Sequence, residues 1–520
     1  MKTLEQMSLR EKIGQMIVTG FPTSNITQEM KDVIAEYNVG NVILFSHNVV
    51  NKNQLGDLVA ELQQLFVTHT GVAGFITIDQ EGGRVTRMPK DATNVAGAMA
   101  IASTGRSENA YAAGRITARE LRALGINFNL APVMDINNNP LNPVINVRSY
   151  GDTAESVCEY GIKMMRGLVD GGVLSSLKHF PGHGDTNVDS HIGLPTINKT
   201  IEELEQLELI PFREAIAQGA PAIMSSHILF PLIETSGLPA TMSRVIITEL
   251  LKEKLGFKGL VVSDCLEMDA IKRYYGTAQG AVGAVRAGVD LIFISHTPEL
   301  VRDAVQAIEA AVAAGELDEG VIDAAVRNIL SYKEQYATVE APRPDLVGGT
   351  AHQAASSLMR TESISLVSGE LSPISANDDN VHIIGTYSYR TDLASSSVNT
   401  DLNFAGHIGE KLGLKHQTLP IDPEQEQIDA CVATVAAGDV VILGLFNARE
   451  NTGQLALAQA LIDKGIRTTI VALGRPYDLA LVKGASGSLA LLEYSADAFD
   501  SLIPILTGSY VPTAKLPIQL

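Results

Sequence analysis

Cysteine is scarce in this sequence, and its distribution excludes a disulfide-based framework. The chain of 520 residues has 3 cysteines. Cys158, Cys265 and Cys431 lie far apart and form no CxxC pair. No apolar run is long enough to span a membrane, and the first residues carry charges where a secretory signal has an apolar core. We therefore expect a protein of the reducing cytoplasm.

Positive charge is also in short supply, which excludes two classes of partner. Lysine and arginine number 39 against 59 aspartates and glutamates, so the formal net charge is −20. We expect such a chain to bind neither nucleic acid nor an anionic membrane. Apolar residues, in contrast, make up 45% of the sequence, which is enough for a large core and for two or three domains.

The first two thirds of the chain alternate strand-like apolar runs with longer helix-like stretches. Two of the helix starts carry a capping box, Ser8–Glu11 and Thr200–Glu203. Eight apolar runs joined by segments of crossover length predict a parallel sheet buried on both faces, and hence a TIM barrel over residues 1–336. The predicted strands are Gln15–Gly20, Asn41–Phe45, Gly74–Asp79, Asn127–Pro132, Val173–His179, Ala222–His227, Leu260–Asp264 and Val289–Ser295.

A linker rich in proline and glycine, residues 337–350, follows the predicted barrel. Residues 351–520 again alternate strand-like runs with helix-like segments, here Glu424–Ala437 and Gly453–Lys464, and this pattern is typical of an α/β sandwich. No GxGxxG follows a strand there, so we expect no dinucleotide site. The predicted strands are Ser363–Val367, Val381–Gly385, Val440–Leu445, Thr468–Leu473 and Ser488–Tyr494.

The stretch Lys178–His191 is the most informative in the chain. It holds three histidines and two aspartates, and an apolar run leads into it. Glycine and proline interrupt it, which indicates a loop after a buried strand. Titratable groups at the end of a buried strand are typical of a functional site.

Two chemistries are open for this loop. Asp189 could orient His191 and so form a general acid/base unit; a surface salt bridge is the alternative for the same spacing. His183 and Asp185, together with those two residues, could instead ligate a metal. Because the loop has neither a HExxH pair nor a cysteine nearby, we expect no metal.

Four titratable residues, Asp79, His179, His227 and Asp264, fall at or just past the carboxyl end of a predicted strand. In a barrel, those ends share one rim, where TIM-barrel enzymes build their sites. Asp264 ends an almost wholly apolar run and needs partners there. It is either a cap of the following helix or a carboxylate nucleophile.

The residues around Asp79 suit a ligand with hydroxyl groups. Two adjacent glycines follow it, which allow the backbone to approach a ligand closely, and its carboxylate can accept two hydroxyl hydrogens. Arg87 and Arg148 could each contact a hydroxyl or acyl oxygen. A salt bridge within the fold is the alternative for each arginine.

Taken together, these motifs resemble glycoside hydrolase family 3 in its β-N-acetylglucosaminidase branch. The likeness runs through the whole predicted barrel. The second domain resembles the family's α/β sandwich more weakly, through its ending Tyr510–Pro517. The barrel motifs that carry the resemblance are Ile78–Val85, Ala131–Asp135, Lys178–Thr186, Asp189–His191 and Val262–Met268.

The resemblance implies roles for eight residues. Asp264 matches the catalytic nucleophile, and His191 matches the acid/base with Asp189 as its support. The Asp-Ser-His element marks the hexosaminidase branch, since β-glucosidase members take a glutamate acid/base from elsewhere. No organic cofactor is implied. The residues that match the grip on the N-acetylglucosamine ring are Asp79, Arg87, Arg148, Lys178 and His179.

The expected activity is that of an exo-acting, retaining β-N-acetylglucosaminidase that works by double displacement. Its expected substrates are muropeptides from peptidoglycan recycling or chito-oligosaccharides. Inorganic phosphate as acceptor in place of water would make the protein a phosphorylase, and a catalytically inactive sugar-binding protein is the more remote alternative. The chain has no tryptophan, the favoured stacking surface for sugars, which argues against long chitin chains as substrate.

Overall fold

The computed structural model describes residues 2–186, 193–389 and 401–520. Eight parallel strands follow one another in chain order and close into a barrel, which confirms the predicted fold. The apolar runs are buried on both faces because helices cover the outside and the strands' own side chains fill the inside. The strands are β1 (Ile17–Thr19), β2 (Asn41–Leu44), β3 (Phe75–Ile78), β4 (Phe128–Asn129), β5 (Leu174–Phe180), β6 (Ala222–Ser225), β7 (Leu260–Cys265) and β8 (Leu291–Ile294).

The outer ring of the barrel consists of helices in the segments between these strands. Both predicted capping boxes are present, with the Ser8 amide donating to Glu11 at 2.9 Å and the Thr200 amide donating to Glu203 at 2.7 Å. A π-helical segment, Val245–Lys254, takes the place of an α-helix before β7. The α-helices are α1 (Leu9–Met16), α2 (Gln28–Tyr37), α3 (Lys52–Thr70), α4 (Ala98–Ser103), α5 (Glu108–Ala123), α6 (Ala154–Asp170), α7 (Ile201–Gln206), α8 (Ile210–Ala217), α9 (Asp269–Lys272), α10 (Thr277–Ala287), α11 (Pro298–Ala313) and α12 (Glu319–Tyr336).

Side chains fill the interior of the barrel and its amino end. Phe75 and Phe128 meet edge to face inside it, with ring centroids 5.3 Å apart. At the amino ends of the strands, the buried Lys333 ammonium donates to the Gln15 side chain at 2.7 Å and to the Gly40 carbonyl at 3.0 Å. Burial lowers the pKa of Lys333 well below its ordinary value. Lys333 and its partners therefore occupy this end of the barrel, opposite the carboxyl ends of the strands.

The second domain is an α/β sandwich, as predicted. Its six-stranded sheet has the order β11-β10-β12-β13-β14-β9, and only β9 runs antiparallel to its neighbour. The strands are β9 (Ser365–Gly369), β10 (Val381–Thr386), β11 (Lys415–Leu419), β12 (Val440–Leu445), β13 (Arg467–Ala472) and β14 (Gly487–Ala490); the helices are α13 (Thr350–Ser363), α14 (Phe404–Leu412), α15 (Gln425–Ala433), α16 (Gly453–Asp463) and α17 (Ala496–Leu506).

Two features of this sheet differ from the prediction. The edge strand β11 was not predicted, because its sequence Lys-His-Gln-Thr-Leu is polar and half exposed. The predicted strand Ser488–Tyr494 is wrong beyond Ala490, since Leu492 adopts a left-handed conformation with φ of 67° that no strand tolerates.

The two halves of the molecule share one core. A single cluster of buried side chains runs from the helical shell of the barrel to one face of the second sheet, where it includes Leu443 and Ile470. The predicted limits of 1–336, 337–350 and 351–520 stay a prediction. Among the helices in the described parts of the chain, none combines the length and the apolar character needed to cross a membrane.

Candidate active site

A cavity of about 570 Å³ opens at the carboxyl ends of the barrel strands. Six of the eight predicted site residues line it. Asp189 and His191 lie outside the described residues, so their placement stays a prediction. His227, the fourth residue predicted at the rim, does not line the cavity; its ring nitrogens contact Thr241 and the Cys265 carbonyl, each at 2.9 Å. The six that line the cavity are Asp79, Arg87, Arg148, Lys178, His179 and Asp264.

An ion network forms the floor of the cavity around Glu81, a residue to which the sequence analysis assigned no role. Arg148 grips Glu81 with two hydrogen bonds, from Nε at 2.9 Å and from Nη2 at 2.7 Å. The Lys178 ammonium lies 2.7 Å from Glu81 and 2.7 Å from Asp79. Burial alone would raise the pKa of Glu81, but the charges of Arg148 and Lys178 outweigh it and lower that pKa. The alternative of an internal salt bridge therefore holds for Arg148, which nevertheless faces the cavity.

Lys178 stays charged for the same reason. Its side chain is only 3% exposed, which by itself would lower its pKa, yet Asp79 and Glu81 raise that pKa above the ordinary value. The Asp79 side chain keeps 20% exposure, so its carboxylate can accept hydrogen bonds from a ligand. The floor thus presents an ammonium, a guanidinium and a carboxylate in fixed positions.

His179 is held by Asp135, a second residue to which no role was assigned. The His179 ring nitrogen Nδ1 lies 2.7 Å from Asp135, and the backbone amides of His179 and His183 donate to the same carboxylate at 3.2 Å and 2.7 Å. Burial would raise the pKa of Asp135, but His179 lowers it overall. This contact fixes the ring, and Nε2 is the nitrogen left for a ligand.

His183 also lines the cavity, on the same loop. Burial, together with the neighbouring His179, lowers its pKa to about 4, so its imidazole is neutral at physiological pH. Its Nδ1 lies 3.0 Å from the Thr186 hydroxyl, and Asp185 forms a salt bridge with Lys199 at 2.9 Å. Among the described residues, no three His, Cys, Asp or Glu side chains converge as metal ligands do.

Asp264 stands at the end of β7 and faces the cavity while half buried. The register between β7 and β8 shifts between Val262 and Cys265, and such an irregularity turns a side chain away from the regular strand direction. The Cys265 amide donates to the Asp264 carboxylate at 2.7 Å and fixes its orientation. The alternative of a helix cap is wrong, since Met268 occupies the N-cap of α9.

A glycine turn joins Asp79 and Glu81 to Arg87. Gly82 and Gly83 have φ of 92° and 54°, and a Cβ on Gly82 would lie 2.7 Å from the Ala96 carbonyl. Only glycine fits such a turn without strain. The side chain of Gln80 then accepts the Arg87 amide at 2.8 Å, which sets the start of the segment that brings Arg87 to the cavity.

The second domain supports this turn from behind. Arg360 of α13 donates to the carbonyls of Asn94 and Val95 at 2.9 Å and 3.3 Å, and forms a buried ion pair with Glu493. The Val95 carbonyl in turn accepts the Gly83 amide at 2.9 Å. Leu492 lies next to Glu81 and Arg148 in a small cavity behind the floor. The floor of the site is therefore a contact region of both domains.

Comparisons with known proteins show which proteins the chain resembles. The family described as "Glycosyl hydrolase family 3 N terminal domain" matches residues 8–332. A β-hexosaminidase A from Pseudoalteromonas piscicida is 39% identical over 284 residues, which are 52% of this chain and 48% of that one, so the chain spans about half the length of that relative. A β-hexosaminidase of Neisseria meningitidis is 33% identical over 293 residues, 55% of this chain and 79% of that one.

Solved structures also resemble the chain over nearly its full length, and we describe one of them. It is a glycoside hydrolase family 3 β-N-acetylglucosaminidase from Paenibacillus sp. str. FPU-7, with a TM-score of 0.90, 36% sequence identity and coverage of 99% of both chains. The likeness therefore includes the second domain and its position against the barrel.

The buried His183 predicts a defined acid sensitivity. Between pH 6.5 and 4, the unfolded chain binds a proton at this histidine and the folded chain does not, so acid favours unfolding. Relative to His183→Gln, the wild type should lose about 3 kcal/mol of unfolding free energy as the pH falls through this window. Urea unfolding followed by circular dichroism measures the difference; the exposed His69→Gln is the control, and a difference that does not change with pH contradicts the prediction.

Proposed function

Since the chain belongs to glycosyl hydrolase family 3, we propose that it is an exo-acting, retaining β-N-acetylglucosaminidase. It removes one terminal non-reducing N-acetylglucosamine from a small saccharide. The observation that carries the proposal is that one cavity, closed at its floor, brings Asp264 together with the cation and carboxylate set around Glu81. The names of the relatives, β-hexosaminidase and β-N-acetylglucosaminidase, support the same activity.

In this proposal the floor binds the ring of the terminal sugar. A pyranose presents hydroxyls that both donate and accept, and the floor offers both kinds of partner. Asp79 accepts hydrogen bonds, while Lys178, Arg148 and Arg87 donate them. His179 adds a ring nitrogen whose direction Asp135 fixes. Because these groups are held by one another before a ligand binds, little ordering is left to be done on binding.

Asp264 is the proposed nucleophile. Its carboxylate attacks the anomeric carbon while His191 gives a proton to the departing oxygen, which leaves as an alcohol, and a covalent glycosyl-enzyme forms. Neutral His191 then takes a proton from a water molecule, whose oxygen attacks the same carbon and releases Asp264. Asp189 orients His191 and stabilises its cation. The roles of Asp189 and His191 rest on the family resemblance.

Water is the proposed acceptor, for an electrostatic reason. Lys178 and Arg148 are already paired with Asp79 and Glu81, so neither offers a phosphate an uncompensated charge. A phosphate dianion would also approach several carboxylates, and like charges repel most where water is excluded. The cavity carboxylates that stay charged while Asp264 carries the sugar are Asp79, Glu81, Glu267 and Asp269.

A cytoplasmic setting stays part of the proposal. Its support is that the three cysteines are free thiols, which is usual for proteins of a reducing compartment. The natural saccharide in that compartment is either a muropeptide or a chito-oligosaccharide.

The proposal is tested by the product formed from p-nitrophenyl N-acetyl-β-glucosaminide with and without inorganic phosphate. We expect free N-acetylglucosamine, first formed as the β anomer, at a rate that phosphate does not change. Asp264→Asn should lower kcat by about a thousandfold or more, whereas the exposed Asp303→Asn on α11 should leave it unchanged. N-acetylglucosamine 1-phosphate in proportion to phosphate would identify a phosphorylase, and ligand binding without turnover a sugar-binding protein.

The acid role of His191 predicts a dependence on the leaving group. A dinitrophenolate leaves without a proton, but a sugar alkoxide does not. His191→Ala should therefore lower kcat/KM by about 10²- to 10⁴-fold on a β-1,4-linked disaccharide of N-acetylglucosamine and far less on the dinitrophenyl glycoside. Asp189→Asn should also lower kcat/KM more on the disaccharide than on the dinitrophenyl glycoside, but by a smaller factor than His191→Ala. Equal losses on both substrates would rule out the acid role.

A further inference from the structure

The cavity has a buried floor and an exposed mouth, and these two ends must serve different parts of the substrate. Lys178 and Arg148 at the floor are 2% and 6% exposed. His47 and His296, in contrast, are exposed, and Phe45 and Glu267 are half buried. We call Phe45, His47, Glu267 and His296 the outer wall; all four line the same cavity. Because an exo-acting enzyme holds the terminal sugar at the closed end, the leaving group lies against the outer wall.

Three rings, one phenyl and two imidazoles, pack against one another in the outer wall. The Phe45 ring lies 4.8 Å from the ring of His296 and 5.6 Å from the ring of His47, centroid to centroid. The rings come from the segments that follow β2 and β8. The His47 ring is fixed by a contact of 3.0 Å between its Nε2 and the Phe21 carbonyl. The C–H face of a pyranose packs on such rings. A chain without tryptophan thus still has a stacking surface at the mouth.

Glu267 places a fixed negative charge in the same wall. Its carboxylate accepts hydrogen bonds from the amides of His296 and Thr297, at 2.7 Å and 3.1 Å, and from the Thr297 hydroxyl at 2.7 Å. The neighbouring Asp269 forms a salt bridge with Arg273 at 2.7 Å. Within residues 2–186, 193–389 and 401–520, no lysine or arginine forms such a bridge with Glu267. Its charge therefore acts on whatever binds at the mouth.

We propose that the outer wall binds the leaving sugar and selects a neutral or positively charged amino sugar over one that carries a carboxylate. The proposal rests on the proposed function. A carboxylate on the leaving sugar would meet both Glu267 and Asp264, whereas an ammonium would be attracted to them. The net charge of −20 acts in the same direction at longer range. The substrates are accordingly chito-oligosaccharides, including partly de-N-acetylated ones, rather than muropeptides.

Three disaccharides that differ only in the charge of the leaving sugar test this proposal. Each carries β-1,4-linked N-acetylglucosamine at its non-reducing end; the second residue is glucosamine, N-acetylglucosamine or N-acetylmuramic acid. At about pH 7 the first is largely cationic and the last anionic. We expect kcat/KM to fall in that order, with about a tenfold span between the extremes at low salt. Added salt should narrow the span, since the mouth is open to solvent.

Two substitutions distinguish the contribution of the Glu267 charge from that of the stacked rings. Glu267→Gln should reduce the span to about threefold or less, while Glu334→Gln, an equal change of charge on the exposed face of α12, should keep the wild-type span. Phe45→Ala should raise KM for all three disaccharides alike. If Glu267→Gln does not fold, Thr297→Lys, which brings an ammonium next to the Glu267 carboxylate, should reduce the span in its place, and an unchanged span overturns the proposal.

The outcomes distinguish this proposal from the proposed function. If the protein releases no sugar from any of the disaccharides or from p-nitrophenyl N-acetyl-β-glucosaminide, the proposed function itself is overturned. Release from all of them at equal rates, or fastest release from the N-acetylmuramic acid disaccharide, leaves the function intact and overturns the role of the outer wall.

Discussion

The buried carboxylate of Glu81, held between Arg148 and Lys178, is the interaction on which the rest of the site depends. Arg148 lies in the loop after β4 and Lys178 in β5, so the network ties together three successive strand ends of the barrel. Loss of one partner from a buried ion pair leaves an uncompensated charge, at a cost of about 3–5 kcal/mol. The cavity-lining groups of Asp79, Arg148 and Lys178 are therefore in place only when all three segments have folded around Glu81, and they need no ligand to arrange them.

The same network explains how the second domain helps to position a site that is built from barrel residues. Glu81 is followed by the Gly82–Gly83 turn, in which the Gly83 amide donates to the Val95 carbonyl. Arg360 in turn donates hydrogen bonds to the carbonyls of Asn94 and Val95. Leu492 lies against the floor from the same side. The family match ends at residue 332, yet the contacts that fix the turn come from beyond it. For this chain the second domain is thus part of what positions the floor.

The barrel could be predicted from the sequence because its strands are buried on both faces and read as continuous apolar runs. The site could be predicted because Asp79, His179 and Asp264 follow such runs. Glu81 and Asp135 could not, since their partners Arg148 and His179 lie 67 and 44 residues away in sequence, and no local pattern encodes those pairings. Strand β11 was missed because a polar edge strand lacks the apolar signal, and Asp189 and His191 are still known only by resemblance.

The distribution of charge in the cavity connects the choice of acceptor with the choice of substrate. At the floor every lysine or arginine charge of the Glu81 network is balanced within the protein, so binding there relies on hydrogen bonds and not on net charge. At the mouth, Glu267 adds negative charge to a wall of three rings. An anion is disfavoured in both places, whether it arrives as phosphate to attack the glycosyl-enzyme or as the carboxylate of a leaving sugar. Water as acceptor and a preference for uncharged or cationic saccharides therefore have one electrostatic origin, although the first depends on the floor and the second on the mouth.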